Sequence, residues 1–97
     1  MRLRELKFTP EASADMVNAW QLVFDNDGER RADQVYAVME TFCRSLGEFC
    51  ERGTKHDERM RGLRSSGIPR LDKGSVLFLV GETRVTVMRV GYLGNDV

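Results

Sequence analysis

ERRADQVYAVMETFCRSL, residues 29–46, decides the fold. Ala32, Val35, Tyr36, Met39, Phe42, Cys43 and Leu46 recur every three or four residues, the spacing that gathers side chains on one face of a helix. Gly47 stands where such a helix stops, since glycine closes helices at little steric cost. A single amphipathic helix is not stable in water, so this stripe must bury against another surface.

The preceding segment supplies a partner. Thr9 can cap a helix, Pro10 fits its first turn because it lacks only a donor that would be unpaired anyway, and Glu11 suits the positive end of the helix dipole. Ala12, Met16, Ala19, Trp20 and Val23 then form a second apolar stripe. Asp25-Asn26-Asp27-Gly28 reads as the turn that ends this helix. Two amphipathic helices on a short connection make an αα-hairpin. Residues 2–8 ahead of it read as a strand, with Leu6 and Phe8 on one face.

Downstream, residues 52–59 are a polar loop, 60–64 a short strand and 65–69 a turn. Ser75 to Val80 is an apolar run, Gly81-Glu82 a tight connection, and Thr83 to Val90 alternates with β-branched residues. The last two runs predict a β-hairpin. The order β-α-α-β-β-β predicts an α+β fold: an antiparallel sheet with the two-helix hairpin packed on one face.

At 97 residues the chain suits a single domain spanning 1–97. Hydrophobic residues make up 41% and charged residues 31%, which places it among soluble globular proteins rather than disordered ones. It has no membrane-length apolar run, and Met1-Arg2-Leu3-Arg4 lacks a signal-peptide core. A cytoplasmic location is the expectation. The formal charge is zero but unevenly spread: residues 1–51 hold six basic and ten acidic residues, a net −4, and residues 52–73 hold seven and three, a net +4. Such a basic segment can meet phosphate or an acidic protein. Overall neutrality argues against a dedicated nonspecific nucleic-acid binder, so direct nucleic-acid binding is not expected.

Cys43 and Cys50 are seven residues apart, about 10 Å of helical rise, too far for a disulfide on one helix. They read as reduced thiols: Cys43 lies on the apolar stripe, while the position of Cys50 leaves exposure open. With His56 the only histidine, no zinc-ligand spacing is present, and neither a metal nor a cofactor is expected. Histidine is the residue type most used for acid–base chemistry, but His56 sits in a charged loop with no nucleophile in a recognised motif, which disfavours a catalytic role.

These phrases together resemble a known family. Thr9-Pro10-Glu11-Ala12, Ala14-Asp15-Met16 and Trp20 resemble the opening helix of ParE-like toxins in the ParE/RelE toxin–antitoxin superfamily. Cys43-Arg44-Ser45-Leu46 with Gly53 resembles the end of that family's second helix and its following loop. Asp57-Glu58 with Gly62-Leu63-Arg64, Gly74 with Val76-Leu77-Phe78, and Arg89-Val90 with Tyr92 and Asp96 are similar to its three later strands. The match spans nearly the whole chain in order and spacing. It departs where the family has a tyrosine in its third strand (Leu79 here), a closing histidine (Tyr92) and an arginine two residues beyond (Gly94).

The resemblance implies a toxin component of a type II system, inhibiting DNA gyrase by binding rather than by chemistry of its own, and held in a hetero-oligomer by a small ParD-like antitoxin. The alternatives are a RelE-like ribosome-dependent mRNA endoribonuclease and an inactive relative acting only as a binding module. Cleavage through the ribose 2′-hydroxyl needs a proton acceptor, a donor for the leaving oxygen and cations on the phosphate. Arg64, Arg89 and Tyr92 are the weak candidates for such roles, and the chain has only three, scattered lysines. Target contacts are expected at Arg64, Arg70, Arg89, Tyr92 and Asp96. Antitoxin contacts are expected at Val17, Phe24 and Val38, apolar residues off the main faces, at Phe49 just past the second helix, and at Trp20 of the first stripe.

Overall fold

Thr9 turns the chain from strand into helix. In the computed structural model, which describes residues 3–92, the Thr9 hydroxyl accepts the Ala12 amide at 3.0 Å and donates to the Met88 carbonyl at 2.8 Å. One side chain thus caps the helix and ties it to the last strand. Strand β1 (Glu5–Phe8) leads into α1 (Pro10–Asp27), then α2 (Glu29–Ser45), β2 (Thr54–Lys55), β3 (Leu63–Gly67), β4 (Ser75–Val80) and β5 (Arg84–Gly91). The fold is α+β as expected.

The five strands lie in the order β1-β5-β4-β3-β2. The sheet is mixed: β2, β3, β4 and β5 pair antiparallel, but β1 runs parallel to β5, with Leu6 opposite Val85 and Phe8 opposite Val87. A fully antiparallel sheet was the expectation. The Thr9 amide donates to the Val87 carbonyl and its hydroxyl to the Met88 carbonyl, so the parallel β1 starts α1 beside the middle of β5.

Three element boundaries also differ from the sequence reading. First, α1 continues through Asp25 and Asn26, so the interhelical connection is Gly28 alone. Its φ of +89° favours glycine. Its amide donates to the Phe24 carbonyl at 3.0 Å, and its carbonyl accepts the Ala32 amide at 3.1 Å, so it closes one helix and opens the next. Second, the strand expected over 60–64 begins at Leu63, because Met60 to Gly62 are spent in turns. Gly62 has φ +87°, and a side chain there would collide with the Val80 carbonyl. Third, Ser65 and Ser66 pair with Leu77 and Val76, and the turn moves on to residues beyond Gly67, where Arg70 and Lys73 take positive φ.

The core lies between the hairpin and one face of the sheet. Met16, Val23, Val35, Met39, Cys43 and Leu46 meet Val76, Phe78, Val85 and Val87, every one of them at most 3% exposed. Burial raises the Cys43 thiol to about 12, so it stays protonated. Cys50 is buried as well, at 3% exposed. Trp20 and Tyr36, read as stripe residues, instead sit half-buried at the margin of this core.

Candidate functional site

Two rows of apolar side chains run along α1. The inner row enters the core. The outer row, Val17, Trp20 and Phe24, is displaced by one residue and faces outward. The Trp20 ring stacks on Phe24 with centroids 5.0 Å apart, and its indole N–H donates to Asp33 Oδ1 at 2.8 Å across the hairpin. This fixes a large aromatic surface while leaving Val17 58% and Phe24 40% exposed. Stacked, hydrogen-bonded aromatics lose little further freedom on binding, which suits an anchor for a partner.

That row opens onto a cleft of about 450 Å³ lined by Val17, Trp20, Tyr36 and Ala37, with the carboxylates of Asp33 and Glu40. A second cleft, about 420 Å³, is lined by Ala37, Val38, Thr41, Phe42, Ser45, Pro69 and Arg70. Ala37 belongs to both, so the two form one trough across α2, acidic at one end and with Arg70 at the other. Phe49 lies beyond α2, 45% exposed, and the Arg52 guanidinium sits 5.8 Å from its ring centre and 5.0 Å from that of Phe42. Val17, Trp20, Phe24 and Val38 are therefore brought onto one continuous surface.

The residues expected at the target are spread apart. Arg89 is held by Asp15 of α1 in a two-pronged contact, Nε to Oδ2 at 2.8 Å and Nη2 to Oδ1 at 3.1 Å. The same carboxylate accepts the Val90 amide at 2.9 Å, satisfying β5 beyond the end of β1. Partial burial pushes the Asp15 carboxyl up, but the Arg89 hydrogen bond, the Val90 amide and the Arg89 charge outweigh it and hold the group below its ordinary value. Hydrogen bonding to Asp15 raises Arg89 in turn. Arg64 donates its Nε to the Arg52 carbonyl at 3.0 Å. In the sheet register Arg64 is opposite Phe78 and Arg89 opposite Leu77, positions on opposite faces of β4. Arg70 lies in the turn after β3. Tyr92 is packed in the core at 9% exposed, and Asp96 lies outside the described residues.

Two groupings escaped the sequence reading. The His56 ring Nε2 lies 2.7 Å from Ser65 Oγ, with Glu58 Oε1 3.9 Å from Nδ1. No spacing motif announces it, because the serine comes from β3 and the histidine from the preceding loop. The other is a cleft of about 270 Å³ where Arg4 joins Lys55, Arg61 and Arg64. The basic run over 52–73 signalled three of its four cations, but Arg4 arrives from the far end of the chain.

No family model and no curated protein matches this chain. Solved structures do. A chain of the chromosomal ParDE toxin–antitoxin system from P. aeruginosa superposes with a TM-score of 0.79 at 19% identity, covering 94% of this chain and 97% of its own. A chain of the RelBE2 toxin–antitoxin complex from Mycobacterium tuberculosis gives 0.65 at 18% identity, covering 99% and 97%. A conserved hypothetical protein from Helicobacter pylori gives 0.51 at 13%, covering 92% and 93%. The fold is shared with these chains of two toxin–antitoxin systems.

Proposed function

We propose that this chain is the toxin component of a type II toxin–antitoxin pair, acts in the cytoplasm, and inhibits DNA gyrase until a small antitoxin silences it. The observation that carries the reading is the likeness to the ParDE-system chain over nearly the full length of both. The exposed trough on the hairpin supports it, since a small domain seldom leaves stacked aromatics beside an apolar cleft without a use for them. An amphipathic antitoxin segment would anchor on Val17, Trp20, Phe24 and Val38, with Phe49 at the far end. Its basic residues would meet Asp33 and Glu40. Of the residues expected at the target, Arg70 and Arg89 are exposed and would face gyrase, with Asp96 next to last in the sequence; Tyr92, packed in the core, would act only by holding the end of β5.

The likeness to the RelBE2-complex chain favours one other reading, ribosome-dependent mRNA cleavage. Geometry weighs against it. Cutting at a 2′-hydroxyl needs cations and a proton-transfer group converging within hydrogen-bond reach of one phosphate. Here Arg89 is engaged by Asp15, Arg64 lies on the other sheet face, and Tyr92 is packed in the core.

A supercoiling and cleavage assay with purified gyrase, ATP and the antitoxin-free protein tests the proposal. Linear DNA covalently linked to gyrase is the expected product. Unaltered supercoiling by a folded sample, with cuts appearing in ribosome-bound mRNA, would replace the gyrase reading by the RNA-cutting one.

A further inference from the structure

The cleft where Arg4 meets Lys55, Arg61 and Arg64 shares no lining residue with the antitoxin trough and only Arg64 with the target set. Four basic side chains line it, Arg4 ahead of β1, Lys55 in β2, Arg61 in the turn and Arg64 in β3, against two carboxylates, Glu51 and Asp57. One of those carboxylates is already engaged, since Asp57 Oδ1 accepts the Gly62 amide at 3.0 Å. Among the described residues none of the four cations forms an ion pair, whereas Lys7, Arg44, Arg84 and Arg89 each do. Four cations against two carboxylates leave an excess of positive charge that repels itself, and an anion between them lowers that cost.

Two of the arginines are also oriented in advance. Arg4 donates Nε to the Gly81 carbonyl at 2.9 Å and rests Nη1 on Cys50 Sγ at 3.2 Å, while Arg64 donates Nε to the Arg52 carbonyl at 3.0 Å. Both are half-buried, and each commits its Nε to the backbone. Both terminal nitrogens of Arg64 and Nη2 of Arg4 are left to donate to phosphate oxygens. The volume, about 270 Å³, falls below the roughly 300–1,000 Å³ of drug-sized pockets. It suits one phosphate group carrying a small substituent.

We propose that the Arg4–Lys55–Arg61–Arg64 cleft is a binding site for a small dianionic phosphate, either free phosphate or a phosphate monoester. The test is a titration of the isotope-labelled protein with inorganic phosphate and with glycerol 3-phosphate, followed by NMR at constant ionic strength. Saturable shifts are expected at the Lys55 and Gly62 amides and at the Nε–H groups of Arg4 and Arg64. The exposed pair Lys55→Ala/Arg61→Ala should keep the melting temperature and weaken binding by at least about tenfold. Tighter binding of glycerol 3-phosphate would identify the ligand as a monoester, and equal binding as phosphate itself. Shifts that never saturate, shifts that are as large around Arg30 and Arg31 on α2, or undiminished binding in the double variant would overturn the site. Gyrase and toxicity assays do not enter, so this proposal can fail or stand independently of the toxin reading.

Discussion

Met16, Ala19 and Val23 are 2–4% exposed, and Val17, Trp20 and Phe24, each one residue further along the same helix, face outward. Composition does not separate these rows; the outer one is the more hydrophobic. What separates them is a turn of about 100° about the helix axis per residue. The sheet and α2 cover one arc of α1, and the apolar arc is wider than the arc they cover. The residues at Asp15 and beyond on the opposite flank reach the edge of β5 instead. One helix thus has a packing face, an exposed apolar face and a polar clasp. The contrast between the first two faces should be visible in which property each mutation damages.

The largest effect belongs to the packing face. Phe78, fully buried beneath the inner rows, should lose about 3–5 kcal/mol of stability on replacement by alanine, because a cavity adds to the lost transfer energy. Urea unfolding measures this. Antitoxin affinity per folded molecule should stay unchanged. A loss below about 1 kcal/mol would show that the inner rows do not form the close-packed core described here.

Trp20→Ala should reverse that pattern. Stability would fall by about 2 kcal/mol, the summed worth of one hydrogen bond and one aromatic stack. Affinity for the antitoxin would fall by about 2 kcal/mol or more, as expected when a central aromatic anchor is truncated. Calorimetric titration of the purified pair gives the affinity. Undiminished affinity together with a core-sized loss of stability would dissolve the distinction between the two rows.

The sequence made both helices readable because their apolar spacing is local, and a local period survives whatever tertiary structure surrounds it. It also placed Val17, Phe24 and Val38 off the core stripe, and the structure puts them on an open surface. Trp20 reads as part of the core stripe, but position 20 lies at the boundary of the covered arc and its ring is half-buried. The parallel β1 was not legible, because its direction depends on Thr9 meeting Met88, 79 residues away. The start of β3 was obscured for a similar reason: Gly62 is pressed against Val80, a contact no local pattern encodes. Of the candidate target residues, the strand pattern could place Arg64 and Arg89 on strands. It could not say that Asp15 engages Arg89 or that the two arginines lie on opposite faces.

The smallest expected effect tests the polar clasp, and its signature is a pH dependence rather than a magnitude. The Asp15 carboxyl is held below its usual value of 3.8 in the folded protein. A carboxylate with a depressed folded pKa stabilises the fold at pH above its unfolded value, and that contribution disappears as pH falls through the folded value. Asp15→Asn should therefore cost on the order of 1 kcal/mol near neutrality, since the amide retains the shape but loses the charge facing Arg89. The difference from the parent should shrink as pH drops below about 4 and vanish once the parent carboxyl is itself protonated. Urea midpoints at neutral, mildly acidic and strongly acidic pH would trace it. A gap that stays constant with pH would assign the loss to packing around residue 15. No gap at any pH would mean that the Val90 amide and the Arg89 guanidinium are satisfied as well by water, and that the end of β5 is held by the core residues beside it.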